Sequence, residues 1–582
     1  MYISNFLGQN APLVATSYVA GEAVAKGQIA VLGADGMVYY ALDPSVSGAN
    51  MRPVVNTSAQ SFPAVVVNTS LGSAPLAGTS QMVLASCVLS NGNFVLAWQD
   101  YASGNVELQI LSPLGVAVAG PTVVAAGQGN TDGNSVQLQA IPGGGFFIVF
   151  ASLLSSTYYV RFAAYANTGA VAIAPTTVDT FVTGGNYGVL SIGAALLSNG
   201  SIAIAYAQYG NTAAASIARY AVFSSTGAVV SAAATLAANS TAVSATGPAV
   251  VPLIAVAALS GGGFVVHYQL WQVGAYFQRF NSTGVLQGAA TQVLASSAGS
   301  LWLYAIGLTG GGFALAVFPG VAAKTYVYLY NATGVAQGSA AVTASASNNV
   351  CTFQFAAMPD GTLVYAVTFQ ASGTAGQAQT IQVGRVTAAA ALVGGTPITL
   401  TPTAKSYGNA ASYVSIVPLP DGTVFLTYPD NTSGLMACAT INAGFTGLQI
   451  QPTTIGNTSS NNPAAVANCP ALVLTNPIKA TSPIIMVPFA ALQTGSQVNF
   501  GFLCFIQSMQ QFTPIGVFVA AALQGAATSI QYTGAAPLAT GFIQPYNVNA
   551  QGNSPPGVKM SIVGNMAALS GTQAPAMQRA IS

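Results

Sequence analysis

The most regular pattern along the chain is a glycine turn followed by a short apolar segment. It is clearest at Leu259-Ser-Gly-Gly-Gly-Phe-Val-Val-His-Tyr268, and a second segment, Tyr276-Phe-Gln-Arg-Phe-Asn-Ser-Thr-Gly284, follows soon after. Glycine adopts the positive φ that a tight hairpin turn requires, and the apolar segments have the length of strands. The pattern therefore predicts a β-hairpin, then a third strand that ends at an Asn-Ser-Thr-Gly turn.

This turn-and-strand unit recurs along most of the chain, at intervals of 49 to 62 residues. Its copies are Leu89–Phe94, Ile141–Phe146, Leu197–Ile202, Leu259–Phe264, Leu308–Phe313, Met358–Leu363 and Leu419–Val424. A degenerate eighth copy is predicted at Thr481–Phe489. A fixed internal period is the mark of a repeat architecture.

Each repeat has room for four strands. In the first repeat they are predicted at Gln81–Leu89, Phe94–Gln99, Val106–Leu111 and Thr122–Ala126. Four strands every 50 to 60 residues are typical of the blades of a β-propeller. We predict an all-β fold, a seven- or eight-bladed β-propeller that occupies residues 73–510.

The two ends of the chain lack the repeat. Residues 1–72 contain a hairpin signal at Ala34-Asp-Gly36, with Met37–Leu42 as its return strand. Residues 511–582 begin with a similar glycine-bounded segment, Pro514–Gly525, and finish in an extended tail. We predict that the N-terminal segment is an assembly anchor and that the C-terminal segment packs with it into one small β module.

Two resemblances follow from these residues. Gly262–Val266 with Gln278–Gly284, and Phe94–Trp98, resemble the Gly-Gly-Phe-Val-Val repeats of large bacterial surface and secreted proteins. That resemblance covers roughly residues 75–510 and implies propeller architecture without an activity. The terminal segments, Gly21–Gly36 and Pro514–Gly534, resemble the glycine-rich β modules of phage fibre proteins, which implies a role in a virion.

Composition excludes several classes of protein. Only 4% of the residues are charged, against about 25% in a typical soluble domain. No basic stripe is present, so we predict no nucleic-acid partner. The mean hydropathy is +0.58, but the longest apolar run, Pro248–Leu259, is shorter than the roughly 20 residues of a spanning helix. We predict no membrane insertion, and no export signal because the first residues lack a basic region before an apolar core.

The cysteines predict neither a metal site nor a redox site. The five are scattered and form no Cys-x-x-Cys pair: Cys87, Cys351, Cys438, Cys469 and Cys504. Such spacing indicates buried, reduced thiols in a chain assembled in a reducing cytoplasm. No cofactor is predicted.

The single histidine, His267, is the one residue that could serve a Ser-His-Asp triad, and no Gly-x-Ser-x-Gly elbow accompanies it. At the same position the other repeats carry apolar residues or threonine: Ala97, Val149, Ala205, Ala316, Ala366 and Thr427. His267 is therefore interpreted as a strand substitution, with a pocket role as the alternative.

The acidic residues do not define a catalytic pair. A glycosidase requires two carboxylates that face one another. The candidates are Asp100, Asp132, Asp179 and Asp430, and no spacing selects a pair among them. Turn sequences account for Asp35, Asp360 and Asp421, and the two glutamates are Glu22 and Glu107. We predict no enzymatic activity and assign no catalytic, cofactor or metal residue.

The arginines and the Asn-x-Ser/Thr triplets are assigned structural roles. Arg161 and Arg219 lie eight residues before a turn glycine and Arg279 lies five before one, so Arg279 is predicted on the opposite strand face. Aromatic and leucine residues four before the turn glycine predict packing between blades: Leu111, Tyr165, Phe223, Phe280 and Tyr330. The triplets begin at Asn56, Asn68, Asn199, Asn239, Asn281, Asn331, Asn431 and Asn457, and they are attributed to turn preference.

The function favoured by these features is structural. A chain with low charge, a retained Met1 and fibre-like termini is predicted to be a bacteriophage virion protein: a tail fibre, spike or capsid fibre. Its propeller would attach to a host surface, with glycans or a protein as receptor. Its termini would bind other virion proteins of a particle assembled in the host cytoplasm, and we expect a homo-oligomer. A bacterial surface or secreted adhesin or lectin is the alternative, and a polysaccharide-degrading enzyme is the third.

Overall fold

The computed structural model describes strands at 30–32, 38–40 and 66–72, most of residues 84–455 apart from short connecting segments, and ten further strands between 461 and 563. Across these described residues the elements are β-strands and turns, without a helix. Strands β1 (Ala30–Leu32) and β2 (Val38–Tyr40) pair antiparallel, which confirms the hairpin predicted at Ala34-Asp-Gly36. Strand β3 (Val66–Gly72) belongs to a different sheet.

Seven consecutive sheets follow, each of four antiparallel strands paired in chain order. Sheet 1 is β4 (Leu84–Val88), β5 (Phe94–Gln99), β6 (Val106–Leu111) and β7 (Ala117–Ala125), and sheet 2 is β8 (Val136–Ala140), β9 (Phe146–Leu154), β10 (Thr157–Tyr165) and β11 (Val171–Val182). Sheet 3 is β12 (Gly188–Leu196), β13 (Ile202–Tyr209), β14 (Ser216–Phe223) and β15 (Val229–Asn239). Sheet 4 is β16 (Ile254–Ala258), β17 (Phe264–Leu270), β18 (Gly274–Phe280) and β19 (Thr291–Ala295). Sheet 5 is β20 (Trp302–Gly307), β21 (Phe313–Phe318), β22 (Tyr326–Tyr330) and β23 (Ala336–Ala341); sheet 6 is β24 (Asn349–Ala357), β25 (Leu363–Gln370), β26 (Ala378–Val386) and β27 (Ile398–Lys405); sheet 7 is β28 (Ser415–Pro418), β29 (Val424–Pro429), β30 (Met436–Ile441) and β31 (Leu448–Ile455).

The seven sheets are arranged as blades. The first strand of each sheet lies beside the first strand of the next, from β4 and β8 through to β24 and β28. Residues that alternate along the second and third strands are buried on both faces, because each sheet is covered by a neighbour on either side. This is the geometry of a β-propeller, and the predicted all-β propeller class is confirmed.

Aromatic side chains fill the seams between blades. In the three seams from sheet 2 to sheet 5, the last residue of the third strand of one sheet packs against a residue in the third strand of the preceding sheet. That second residue lies three positions before the end of its strand. The ring centroids are 4.4 Å apart for Phe223 and Phe162, 4.3 Å for Phe280 and Tyr220, and 4.6 Å for Tyr330 and Phe277. Such pairs contribute about 0.5–1.5 kcal/mol each beyond the area they bury. The predicted packing role of Phe223, Phe280 and Tyr330 is confirmed.

An eighth sheet of six strands follows: β32 (Asn461–Ala464), β33 (Leu472–Leu474), β34 (Ile484–Gln493), β35 (Gln497–Ile506), β36 (Gln511–Phe512) and β37 (Gly516–Ala521). It has four lateral positions, because β32 and β33 pair with the two ends of β34, and β36 and β37 pair with the two ends of β35. Strand β34 begins within the degenerate eighth copy predicted at Thr481–Phe489 and includes its residues from Ile484 onwards. Because β37 pairs with β35, this sheet extends past residue 510, where the propeller was predicted to end.

The last sheet joins the two ends of the chain. It contains β38 (Ser529–Tyr532), β39 (Ala536–Leu538), β40 (Gly541–Asn549) and β41 (Gly557–Val563), and its remaining strand is the N-terminal β3. Strand β3 pairs antiparallel with β41 from Val66↔Val563 onwards.

Candidate functional site

The two faces of the ring differ in the connections they carry. The turns between first and second strands, and between third and fourth strands, lie at the same edge of every sheet because the strands run antiparallel in chain order. We call this edge the turn face. The opposite edge, the loop face, is where second strands lead to third strands and where one sheet leads to the next.

The turn face is built from short, closed turns. Leu259 N donates to Gly263 O at 2.8 Å, and Asn281 N donates to Val285 O at 3.0 Å. The Asn281 side chain caps its turn, because its Oδ1 accepts from Thr283 N, Thr283 Oγ1 and Val285 N at 3.0, 2.8 and 2.9 Å. Asn331 repeats the same three contacts in sheet 5. The Asn-x-Thr triplets at these two positions are turn chemistry, as predicted.

Glycines of the third-to-fourth turns sit in the seams. Gly227 has φ +83°, and a Cβ there would lie 2.8 Å from Ile173 Cγ2 of the preceding sheet. Gly284 has φ +81°, and a Cβ there would lie 2.7 Å from Ser231 Cβ. Each turn is thus seated directly on the outer strands of the sheet before it.

One candidate acid is held in a seam. Asp179 of sheet 2 forms an ion pair with Arg219 of sheet 3 at 2.6 Å, and its Oδ2 also accepts from the Tyr206 hydroxyl at 2.6 Å. Burial and the neighbouring carboxylate raise the pKa of Tyr206. These two contacts give Asp179 a structural role in joining two blades, and that role disfavours Asp179 as a member of a glycosidase pair.

Arg279 and Arg385 clamp the turns of the following blades. Each is the penultimate residue of a third strand. Arg279 Nη1 donates to Thr333 O of sheet 5, and Arg385 Nη1 donates to Ala443 O of sheet 7 at 2.6 Å. Arg219 instead reaches back to sheet 2, so Arg219 and Arg279 use opposite strand faces, as their spacing predicted.

Arg385 was missed by sequence reasoning, because Gly-Arg-Val-Thr lacks the aromatic residue that marks Gln-Arg-Phe-Asn. Its Nη2 donates to Asp360 Oδ2, and its Nε donates to Thr362 Oγ1 at 2.8 Å. Burial acts to raise the pKa of Asp360, but hydrogen bonds from Thr362 and the charge of Arg385 outweigh it and lower that pKa. Asp360 is a turn residue, as predicted, with a second role as the partner of Arg385.

His267 lies in the seam between sheets 4 and 5 and is fully buried. Its Nδ1 is 3.0 Å from the carbonyl oxygen of Tyr304, which can only accept, so Nδ1 carries the proton. Its Nε2 is buried without a hydrogen-bond partner, and burial lowers the pKa of the imidazole to about 4. These contacts favour the structural interpretation of His267.

The remaining described chemistry is sparse. Burial raises the pKa of the Cys87 thiol to about 12, so this cysteine is protonated and unreactive. Glu107 accepts from Asn105 Nδ2 at 3.1 Å. Within the described part of the chain, no three His, Cys, Asp or Glu residues are placed to hold a metal ion. A search of the same residues for a helix long and apolar enough to cross a membrane finds none.

The other candidate acids lie outside the described residues. Asp100 follows β5, Asp132 lies between β7 and β8, and Asp430 follows β29. In the sequence, Trp271 directly follows the second strand β17, and Tyr101 is the second residue after the second strand β5. These two residues also lie outside the described part of the chain. The sequence feature that could have drawn attention to these residues is the position of each one after a particular strand.

The comparisons with known proteins find only remote similarity of fold. No family model and no curated protein matches the chain. Among solved structures, a six-bladed β-propeller, the fungal lectin of Aleuria aurantia with a fucose recognition mode, is 13% identical over 56% of this chain and 95% of its own, with a TM-score of 0.28. The Dos1 propeller is 12% identical over 86% and 95%, with a TM-score of 0.37. A eukaryotic initiation factor is 10% identical over 81% and 94%, with a TM-score of 0.38. Similarity this low carries no argument about ligand or activity.

Proposed function

We propose that the chain is a non-enzymatic attachment protein whose loop face binds saccharides on a cell surface. One observation carries this proposal. In sheets 1–7 every first-to-second turn on the turn face is short, and Asp360 in one of them is paired with Arg385, whereas every connection between sheets leaves from the loop face. Binding residues in repeat folds are concentrated in such variable connections on a rigid scaffold.

The chemistry of the chain favours a neutral, hydroxyl-rich ligand. With 4% charged residues and a net charge of +1, long-range attraction to a charged partner is weak. In this proposal Tyr101 and Trp271 would supply aromatic faces, and Asp100 and Asp430 hydrogen-bond acceptors, in segments that follow second strands in the sequence. Aromatic rings with a few polar groups are the usual lining of small-molecule sites.

The setting we propose is a bacteriophage virion, in which the chain serves as a tail fibre, spike or capsid fibre. The pairing of Val66 with Val563 joins a strand from each end of the chain, which supports a single joint with other virion proteins formed by both terminal segments. The resemblance of the termini to phage fibre modules supports this setting, and we expect a homo-oligomer. A bacterial adhesin or lectin is the second candidate, favoured by the surface-protein pattern at Gly262–Val266.

A saccharide array tests the proposal. The full chain is applied to O-antigen and capsular polysaccharides, beside the variant Tyr101→Ala/Trp271→Ala and the control Thr168→Ala/Ser225→Ala. Thr168 and Ser225 are exposed turn-face residues. We expect binding by the parent and the control, and at least a tenfold weaker Kd for the loop-face variant, equivalent to about 1.4 kcal/mol. Absence of binding to every saccharide, or equal loss in the control, would refute the proposal.

The enzyme alternative is decided in the same preparation. Reducing sugar released from the bound polysaccharide over a day would show hydrolysis. Replacing Asp100, Asp132 and Asp430 one at a time by Asn would then identify the acid pair, because removing either carboxylate of such a pair abolishes turnover. We expect binding without release.

A further inference from the structure

The terminal sheet has the form of a blade. Its strand order is β3-β41-β40-β38, and β39 also pairs with β40. Strand β38 pairs with Asn547–Asn549 and Tyr546 at one end of β40, and β39 pairs with Gly541–Ile543 at the other end. Together β38 and β39 occupy one lateral position, so the sheet has four positions, as each of the other blades does.

Its innermost position lies in the ring. Strand β39 lies beside β4, the first strand of sheet 1, and beside β33, which holds a first-strand position in sheet 8. First strands of neighbouring sheets lie side by side in the same way elsewhere in the ring. The terminal sheet therefore stands between sheet 8 and sheet 1.

Chain connectivity agrees with this placement. In the regular blades, each fourth strand leads directly to the first strand of the next sheet, as β7 leads to β8 across residues 126–135. Strand β3 holds the fourth position of the terminal sheet and leads to β4 across residues 73–83. The N-terminal strand thus occurs where the repeat requires a fourth strand.

We infer that the terminal sheet is a ninth blade that closes the ring, with three positions filled from the C-terminal end and the outermost filled by β3. Opening the ring then requires breaking the backbone ladder between β3 and β41. The strands of the terminal sheet then belong to the propeller and do not form the separate β module predicted from the sequence. It also places the start of β3 and the end of β41 side by side at the rim, at Val66 and Val563.

A disulfide across the closing pair tests the inference. Asn68 and Ser561 are Cα partners in the β3–β41 ladder, so Asn68→Cys/Ser561→Cys places two thiols within bridging distance. The variant also carries Trp271→Phe and Trp302→Phe, which leaves Trp98 of sheet 1 as the single fluorophore. We expect a crosslink in the folded protein, and a rise of at least about 3 °C in the Trp98 unfolding midpoint relative to the reduced form.

The control tests the order of the strands in the terminal sheet. In Asn68→Cys/Ser529→Cys the two thiols lie on the outermost and innermost positions, roughly 14 Å apart across the sheet and further apart along the strands, and we expect no crosslink. Failure of the 68–561 pair to crosslink, or a crosslink that leaves the Trp98 transition unchanged, would overturn the inference. Equal crosslinking in the control would do the same. Saccharide binding plays no part in this result, so it stands apart from the proposed function.

Discussion

Replacing Gly284 by alanine tests how tightly the turns are seated in the seams. At φ +81° an alanine is strained by about 1–2 kcal/mol because its Cβ approaches the following carbonyl. The new Cβ would also lie 2.7 Å from Ser231 Cβ and 3.0 Å from Val222 Cγ2, both in the preceding sheet. Overpacking of this kind costs typically about 1–3 kcal/mol. The expected total is about 2–5 kcal/mol.

A second glycine in the same blade isolates the packing contribution. Gly288 has φ +87°, and no atom lies within 4 Å of a Cβ built there. Gly288→Ala should therefore cost only the conformational part, about 1–2 kcal/mol. The measurement is the midpoint of urea unfolding, followed by far-ultraviolet circular dichroism and converted to free energy with a common m-value.

The double variant Gly284→Ala/Ser231→Gly completes the test. Removing the Ser231 side chain vacates the closest contact, so we expect a favourable coupling of about 1–2 kcal/mol in the mutant cycle. Equal destabilisation by Gly284→Ala and Gly288→Ala, or zero coupling with Ser231→Gly, would refute the reasoning that the turn glycine is required for blade packing.

Two further predictions concern charged and titratable groups in the seams. The pKa of His267 is about 4 in the folded protein and 6.5 ordinarily, so the unfolded chain takes up the proton first as pH falls. Stability is therefore lost between about pH 6.5 and about pH 4, by about 3 kcal/mol. His267→Val should flatten a profile of stability against pH measured over that range, and an unchanged profile would contradict the assignment. Arg385→Met should lower stability by about 1–3 kcal/mol, because it removes the hydrogen bonds to the Ala443 carbonyl and to the half-exposed Asp360 carboxylate. Arg385→Lys should recover less than half of that loss in urea unfolding, and full recovery by lysine would show that charge alone suffices.

The repeat was predictable from sequence because its turns use residues with few alternatives. Gly262 has φ +94° and Asn281 caps its turn with three hydrogen bonds, and each leaves a residue signature. The aromatic seam residues were likewise marked by a constant offset from the turn glycine. Arg385 was not predictable, because its partners Asp360 and Ala443 belong to a turn of its own sheet and to the next blade.

The terminal sheet was beyond sequence reasoning for a different reason. Glycine-bounded segments at both ends predicted that β3 and the C-terminal strands would associate, but hydrophobic pattern does not specify which strand pairs with which. Pairing of Val66 with Val563 spans almost the whole chain, and no local signal encodes a partner at that distance. The split of one lateral position between β38 and β39 also removed the regular strand length on which the repeat was recognised.

Hydrogen–deuterium exchange of the full chain, with and without the O-antigen or capsular polysaccharide that binds it best, tests the central claim that the loop face is the binding face. Peptides that contain residues 100–104, 271–272 and 430–435 should exchange more slowly when the polysaccharide is bound. Peptides of the turns at 166–170 and 224–228 should be unchanged. Protection of those turns, without protection in the segments that follow second strands, would contradict the account.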